Sequence, residues 1–347
     1  MIAKLRQSSP LRLSLNLFWV LLAVGLLWVT LRSISLAEVW AQLRQLQVGQ
    51  ILLLVAVNLV VLSTFSARWW LLLYAQGYTI PYGKLITYRL ATFAVSYFTP
   101  GPHLGGEPVQ VYLISTRHGV PVAISLTAML LDRLIEMLAN FAFLMAGLLV
   151  LLQQQALTGW LEQQLFALCL GLMLLPIGLL LALGLGWRPL SGLLRASHTA
   201  WRLLTGGQAD TGQWITRSSL YQTARASEEQ GSLLCRNHPF ILVLALGVSV
   251  LSWLGIVGEF WLMTSVLGLK LTLYQAITAL VAARVAILLP VPAALGVLEA
   301  SQALAMSRLG LPPAAGISLS ILIRARDVLF GLLGLWIGGV YWWKREQ

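Results

Sequence analysis

The chain has 347 residues, of which 58% are hydrophobic and only 10% charged, with a formal net charge of +11. A soluble domain carries about 25% charged residues, so this composition excludes a water-exposed globular protein and calls for an exterior covered by lipid. The positive charge does not point to nucleic acid, because most Lys and Arg sit in short segments beside apolar runs, the positive-inside pattern of membrane proteins.

A helix crosses a hydrocarbon core of about 30 Å with about 20 apolar residues. On that measure, spanning helices are predicted at about 13–31, 50–74, 121–151, 163–186, 239–267 and 314–342. The first follows a basic flank (Lys4, Arg6, Arg12), is long for a signal peptide and has no small-x-small cleavage site after it, so it reads as a retained membrane helix. Between the second and third lies 84–118, semi-apolar and broken by Thr99-Pro100-Gly101-Pro102-His103-Leu104-Gly105-Gly106-Glu107-Pro108. Region 187–238 is the plainly polar one, with six Arg against one Asp and two Glu, and is expected to be a cytoplasmic basic loop with amphipathic helical pieces. Between the fifth and sixth spans lies 272–309, broken by Pro290-Val291-Pro292-Ala293-Ala294-Leu295-Gly296. The expected fold is all-α: a polytopic membrane protein with about six spanning helices and two re-entrant broken helices. It forms one transmembrane domain over 1–343, followed by a cytoplasmic tail at 344–347.

Self-comparison adds a repeat. A shift of 191 residues superposes Gly77 on Gly268, Gly119 on Gly310, Pro121 on Pro312, Arg133 on Arg324, Glu136 on Asp327 and Trp70 on Trp261. Within the broken loops a shift of 190 pairs Pro100 with Pro290, Pro102 with Pro292 and Gly106 with Gly296. The repeats are placed at about 50–152 and 240–343. With the N-terminus inside and 84–118 entering and leaving by one face, Arg68, Lys84, Arg117, the 187–238 loop and Lys344-Arg345 all fall on the cytoplasmic side. The copies are then inverted. An eight-span version puts the basic loop outside, which the positive-inside rule disfavours.

Non-helical chain survives at membrane depth only when buried in protein or facing water, and inverted repeats with paired broken helices point to a transport site near the midplane. The alternative is that both interruptions are surface turns. Charges in the apolar helices add candidates. Asp132, Arg133 and Glu136 share one helical face, and Arg324, Arg326 and Asp327 occupy the matching helix. A charge at a helix centre costs roughly 2.5–3.5 kcal/mol on insertion scales, so these residues should face the bundle, either as structural ion pairs or as headgroup ligands. Arg68 falls on Glu259 in the repeat, which raises a cross-repeat ion pair. Arg89 and Arg284, on the broken segments, are better ligand candidates, and Glu107 and Glu299 either cap helix N-termini or take part in gating or cation contact. His103 stands four residues before Glu107, but no H-E-x-x-H motif accompanies it, so no metal site is expected. Cys169 and Cys235 fit neither a disulfide framework nor a metal site. No P-loop, nucleotide fingerprint or Ser/His/Asp arrangement is visible, and no cofactor is expected. The fourteen Trp mostly flank apolar runs as interface anchors.

At the two broken loops the chain resembles the lysylphosphatidylglycerol synthase transmembrane region family, the flippase-like proteins. The first hallmark resembles Pro100 through Gly105-Gly106-Glu107. The second resembles Pro292-Ala293-Ala294-Leu295-Gly296-Val297-Leu298-Glu299, and Asp132-Arg133 looks like the family's pair. The resemblance covers about 15–343. Ala293 and Ala294 replace the family's usual glycines, and Gln110 and Leu298 stand where arginine is common. An anionic headgroup would lose two expected contacts, so the substrate is open to lipids other than a simple anionic phospholipid. Relatives fused to an aminoacyl-transferase domain make lysyl-phosphatidylglycerol. No such domain follows Gln347 in this sequence, and lipid aminoacylation is not expected. The resemblance implies translocation of a polar lipid, such as a phospholipid, glycolipid or hopanoid-type lipid, across a bacterial inner membrane with both termini cytoplasmic. In that reading Arg89, Arg133 and Arg284 contact the headgroup, the glycine turns offer backbone N–H groups, and Glu136, Arg324, Asp327 and Glu299 complete the site. A homodimer and a separately encoded lipid-modifying enzyme are the candidate protein partners. The rivals are an integral-membrane lipid-modifying enzyme using Glu107, Asp132 or Glu299 with His103, and a non-catalytic subunit of a glycosyltransferase system.

Overall fold

A computed structural model describes residues 46–98, 105–153, 160–205, 218–289 and 294–343. The predicted first span at 13–31, His103, and the prolines at 100, 102, 290 and 292 lie outside them. Eleven helices and no strands occur among the described residues: α1 (Val48–Tyr74), α2 (Tyr82–Phe98), α3 (Glu107–His118), α4 (Val122–Gln153), α5 (Trp160–Gly184), α6 (Pro189–Thr205), α7 (Ser219–Asn237), α8 (Pro239–Val266), α9 (Leu273–Leu288), α10 (Val297–Arg308) and α11 (Pro313–Trp343).

Four of these are long and apolar enough to cross a bilayer: α1, α4, α5 and α8. Their outer faces carry exposed Leu, Val and Phe, including Leu52, Leu59, Phe166, Leu174, Val250 and Leu254. Patches of that extent are normal only where lipid replaces water, and the chain is a multi-pass membrane protein. Helix α11 is one residue shorter than α4, yet Arg324, Arg326 and Asp327 interrupt its apolar run. Both predicted broken segments resolve into two helices each, α2 with α3 and α9 with α10.

Two stretches follow the same order of long, short, short and long helices. They measure 27, 17, 12 and 32 residues in α1–α4, and 28, 16, 12 and 31 in α8–α11. Left-handed glycines lie just past the matching helix ends, at Gly77 and Gly268 after the first helix and at Gly119 and Gly310 after the third. No Cβ opposes that conformation in glycine. Reciprocal side-chain caps start α9, where Thr272 Oγ1 accepts from the Gln275 N–H at 3.3 Å and Gln275 Oε1 accepts from the Thr272 N–H at 2.9 Å.

The stretches interlock. Helices α1 and α8 run antiparallel, since Val61 meets Gly255, Thr64 Oγ1 accepts from Ser252 Oγ at 2.8 Å, and Arg68 donates to Ser249 Oγ at 2.8 Å. The second helix of each stretch packs on the fourth of the other, α2 on α11 and α9 on α4. Gly147 of α4 abuts Val281, and Gly338 of α11, at the shifted position, abuts Ala91. Gly334 brings α11 against the Leu90 carbonyl so closely that a Cβ has no room. Small residues at helix crossings are how membrane helices gain van der Waals contact without a hydrophobic driving force. One apolar core gathers Trp69, Leu85, Ile114 and Leu131, a second gathers Met263, Leu280, Met306 and Leu319, and a small third joins Phe141 and Leu144 of α4 to Val281 of α9.

The polar 187–238 region contributes α6 and α7, and α7 is no free loop. It packs on α4, α5 and α8, with Thr127 Oγ1 donating to the Ser227 carbonyl at 2.8 Å. Buried Glu228 accepts from the Leu190 N–H at 2.5 Å and the Ser191 N–H at 3.3 Å, placing a carboxylate on the positive end of α6.

Candidate functional site

The charges that the apolar helices carry form two clusters. In the first, Asp132 and Glu136 lie one turn apart on α4 and face α1 and α2. Arg68 of α1, only 1% exposed, donates through Nε to Asp132 at 2.5 Å and through Nη2 to Glu136 at 3.0 Å. Arg89 of α2 takes the other Asp132 oxygen at 2.8 Å and stands 3.7 Å from Glu136. Arg133 reaches Glu136 at 3.1 Å and also pairs with Glu107 at the start of α3. Three arginines thus meet three carboxylates. Asp132 is itself 1% exposed and uses both oxygens, the geometry in which attraction between charges can offset the loss of solvent.

The second cluster occupies α8, α10 and α11. Arg324 grips Glu299, with Nη2 to Oε2 at 2.8 Å, and donates to the Ala294 carbonyl at 3.0 Å. Arg326 pairs with Glu259 of α8 and, at 2.8 Å, with its neighbour Asp327. Buried Tyr97 of α2 sits beside Arg324 and Asp327, so the first half lines the second cluster. Arg324–Glu299 repeats Arg133–Glu107, a basic residue on the fourth helix holding an acid in the first turn of the short third helix. The cross-repeat pair between Arg68 and Glu259 does not form. Each pairs inside its own half, because α1 and α8 bring Ser249, not Glu259, opposite Arg68.

The glycine turns behave differently from expectation. The Gly106 N–H donates to Ser96 Oγ at 2.9 Å, and a Cβ at Gly106 would run into the Thr92 carbonyl. Its role here is the close approach of α3 to α2, and its donor is already used. Gly105 beside it is half-buried. Gly296, at φ +75°, precedes α10. Ala294 holds φ +49°, the one non-glycine residue with positive φ among those described. It stands where the sequence departs from the glycines of the resembled family, and its carbonyl is the one Arg324 binds. Glu107 and Glu299 both open helices and each is held by an arginine, and Glu299 also accepts from the backbone N–H groups of its own residue and of Gly296, the residue that caps α10.

Arg284 of α9 stands apart. Its guanidinium lies 4.8 Å from the ring centroid of Trp253, and it lines a cavity of about 40 Å³ with Glu259, Phe260, Met263 and Arg326. Sequence reasoning gave no role to Trp253 or Gln302 in the site, and marked Gln110 only as a lost headgroup contact where the resembled family commonly has arginine. Gln302 is fully buried and donates to the Ala279 carbonyl at 2.9 Å. Gln110, 1% exposed, has no hydrogen-bond partner for either amide atom among the described residues. The two glutamines stand at the same distance from Glu107 and Glu299, one turn further along α3 and α10, and a shift of 192 confined to the short helices is the signal that reveals them. Among the described residues no three His, Cys, Asp or Glu side chains are placed to hold one metal ion.

The arrangement is one of buried, mutually neutralised charge at helix crossings, with polar side chains facing each other between halves. Residues 16–334, most of the chain, match the family model described as the lysylphosphatidylglycerol synthase TM region. No curated protein and no solved structure matches the chain.

Proposed function

We propose a function from one premise: this chain belongs to the lysylphosphatidylglycerol synthase TM region family of membrane domains, and its two halves form a pathway that carries a polar lipid headgroup across the bilayer. The acyl chains stay in the membrane while the headgroup passes the charged residues between the halves. In this reading α1–α4 and α8–α11 are inverted repeats, α2–α3 and α9–α10 are re-entrant, and both termini face the cytoplasm of a bacterial cell.

The observation that carries the proposal is the antiparallel packing of α1 on α8 between stretches of matching helix order, with each second helix seated on the other half's fourth. Such a two-fold relation gives the pathway two equivalent arrangements, one opening to each leaflet, and rocking between them is the general logic of alternating access. Arg133 with Glu107 and Arg324 with Glu299 are positioned to exchange their carboxylate partner for a headgroup, since each joins the fourth helix to the first turn of a short one. Buried charges that trade partners cost less than charges stripped of any.

Purified full-length protein in vesicles, with fluorescent lipids in one leaflet, tests this. Translocation is expected to equilibrate the label between leaflets while the lipid's mass stays unchanged. A mass change supports a lipid-modifying enzyme, and no movement of any phospholipid or glycolipid probe overturns the proposal.

A further inference from the structure

Arg284 is the arginine left over. Arg68, Arg89, Arg133, Arg324 and Arg326 each hold a carboxylate. The charged groups acting on Arg284 are Arg326, Glu259, Asp327 and Glu136, and Glu259 and Asp327 are both committed to Arg326. Among the described residues Arg284 has neither an ion pair nor a hydrogen bond, and its one close partner is the Trp253 ring. That ring is held in turn by Phe143 of α4, stacked at 4.4 Å. Arg284 is twelfth in α9, roughly 16 Å along the axis at 1.5 Å per residue, which is comparable with half of a 30 Å hydrocarbon core.

An unpaired cation at such depth is costly and is by default a functional group. Stacking on an indole offsets part of the cost, yet it leaves the guanidinium's five N–H donors without acceptors. Those donors form a planar fork that matches an oxyanion with two or more oxygens. The cavity beside it has room for one or two waters, while Arg284 itself is only half-buried, so a ligand meets the fork at the cavity mouth. The repeat supplies no counterpart, since its shifted position is Phe93, and the first half's own broken-segment arginine, Arg89, is neutralised by Asp132.

We propose that Arg284, held over Trp253 beside the Glu259–Arg326–Asp327 group, is an oxyanion-binding residue that takes a phosphate group. It rests on the translocation reading for the direction from which a lipid arrives, and it gives that pathway an anion-selective station in one half only.

Equilibrium binding to the detergent-purified full chain provides the test, with dioctanoyl-phosphatidylglycerol, a phosphate-free dioctanoylglycerol glucoside and inorganic phosphate as probes. Phosphatidylglycerol is expected to bind about tenfold more tightly than the glucoside, and Arg284→Gln to erase that difference while leaving glucoside binding unchanged. Arg284→Lys, which keeps the charge and loses the fork, should fall between. Competition by inorganic phosphate at the same concentrations identifies a free-ion source, and its failure to compete identifies the lipid headgroup. Because it removes an unpaired charge, Arg284→Gln should melt no lower than the unaltered protein. Equal binding of the two lipids, full phosphatidylglycerol binding by Arg284→Gln, or a lowered melting temperature in both variants overturns the proposal. Intact selective binding without movement in vesicles refutes translocation alone. Movement in vesicles together with binding indifferent to Arg284→Gln refutes this site alone.

Discussion

The two charge clusters share an Arg–Glu pair, Arg133–Glu107 and Arg324–Glu299, and differ in what the first helix of each stretch contributes. Arg133 and Glu136 fall on Arg324 and Asp327 under the shift and keep their sign, whereas Arg68 on α1 falls on Glu259 of α8, Asp132 on Ile323 and Arg326 on Ile135. The shift therefore keeps the Arg–Glu pair and one acid on the fourth helix, and changes the charge that the first helix brings to them. What the bilayer penalises is an uncompensated charge of either sign, and each first-helix charge is met by a fourth-helix partner of its own, Asp132 for Arg68 and Arg326 for Glu259. The first cluster is closed, with every arginine matched. The second spends two carboxylates on Arg326 and leaves Arg284 over an aromatic ring.

The contrast is broken most severely at Asp132, whose two oxygens serve Arg68 and Arg89. Asp132→Asn should cost about 3–5 kcal/mol of stability by leaving buried guanidinium charge uncompensated. Asp327→Asn should cost about 1 kcal/mol, because Arg326 keeps Glu259. Thermal unfolding of the detergent-solubilised protein compares the two, and equal losses would remove the distinction between a closed and an open cluster.

A smaller effect separates the repeated Arg–Glu pairs. The Glu107 side chain is 11% exposed and that of Glu299 30%. Glu107→Gln should lower stability by about 2–3 kcal/mol and Glu299→Gln by about 1 kcal/mol, since solvent screens the second pair. The same unfolding measurement decides, and the reverse order would show that α10 is held more by its pair than α3. Smallest is the change at Ala294. Its left-handed backbone costs an alanine about 1–2 kcal/mol, so Ala294→Gly should raise stability by up to about 1 kcal/mol after the added chain entropy of glycine. Gly296→Ala should lower it by about 1–2 kcal/mol at φ +75°. A destabilised Ala294→Gly would show that the Cβ packing at this buried position outweighs the strain.

Much of this was legible from the residues. The apolar runs at 50–74, 121–151, 163–186 and 239–267 appear as α1, α4, α5 and α8 with ends shifted by a few residues, because length and uninterrupted hydropathy are local properties. The shift that superposed Gly77 on Gly268 and Gly119 on Gly310 found glycines that share left-handed backbone. The grouping of Asp132, Arg133 and Glu136 on one face also followed from helical spacing alone. Partners were not legible. Arg89 read as a free ligand candidate and is held by Asp132, and Gly106 read as an N–H donor to a headgroup and is consumed by Ser96. The docking of α7 on α4 through Ser227 was hidden inside a stretch whose composition says only that it is polar.

The sequence by itself determined that the chain belongs in lipid, that the apolar runs at 50–74, 121–151, 163–186 and 239–267 are helical, and where costly charge is buried, because each of these follows from residue type and spacing along one helix. Only the tertiary structure decided that Arg68 closes on Asp132, that Arg326 takes both Glu259 and Asp327, and that Arg284 is left with Trp253. Charge pairing at a helix crossing depends on the rotation and depth of two helices far apart in the chain, and no periodicity within either helix encodes that meeting.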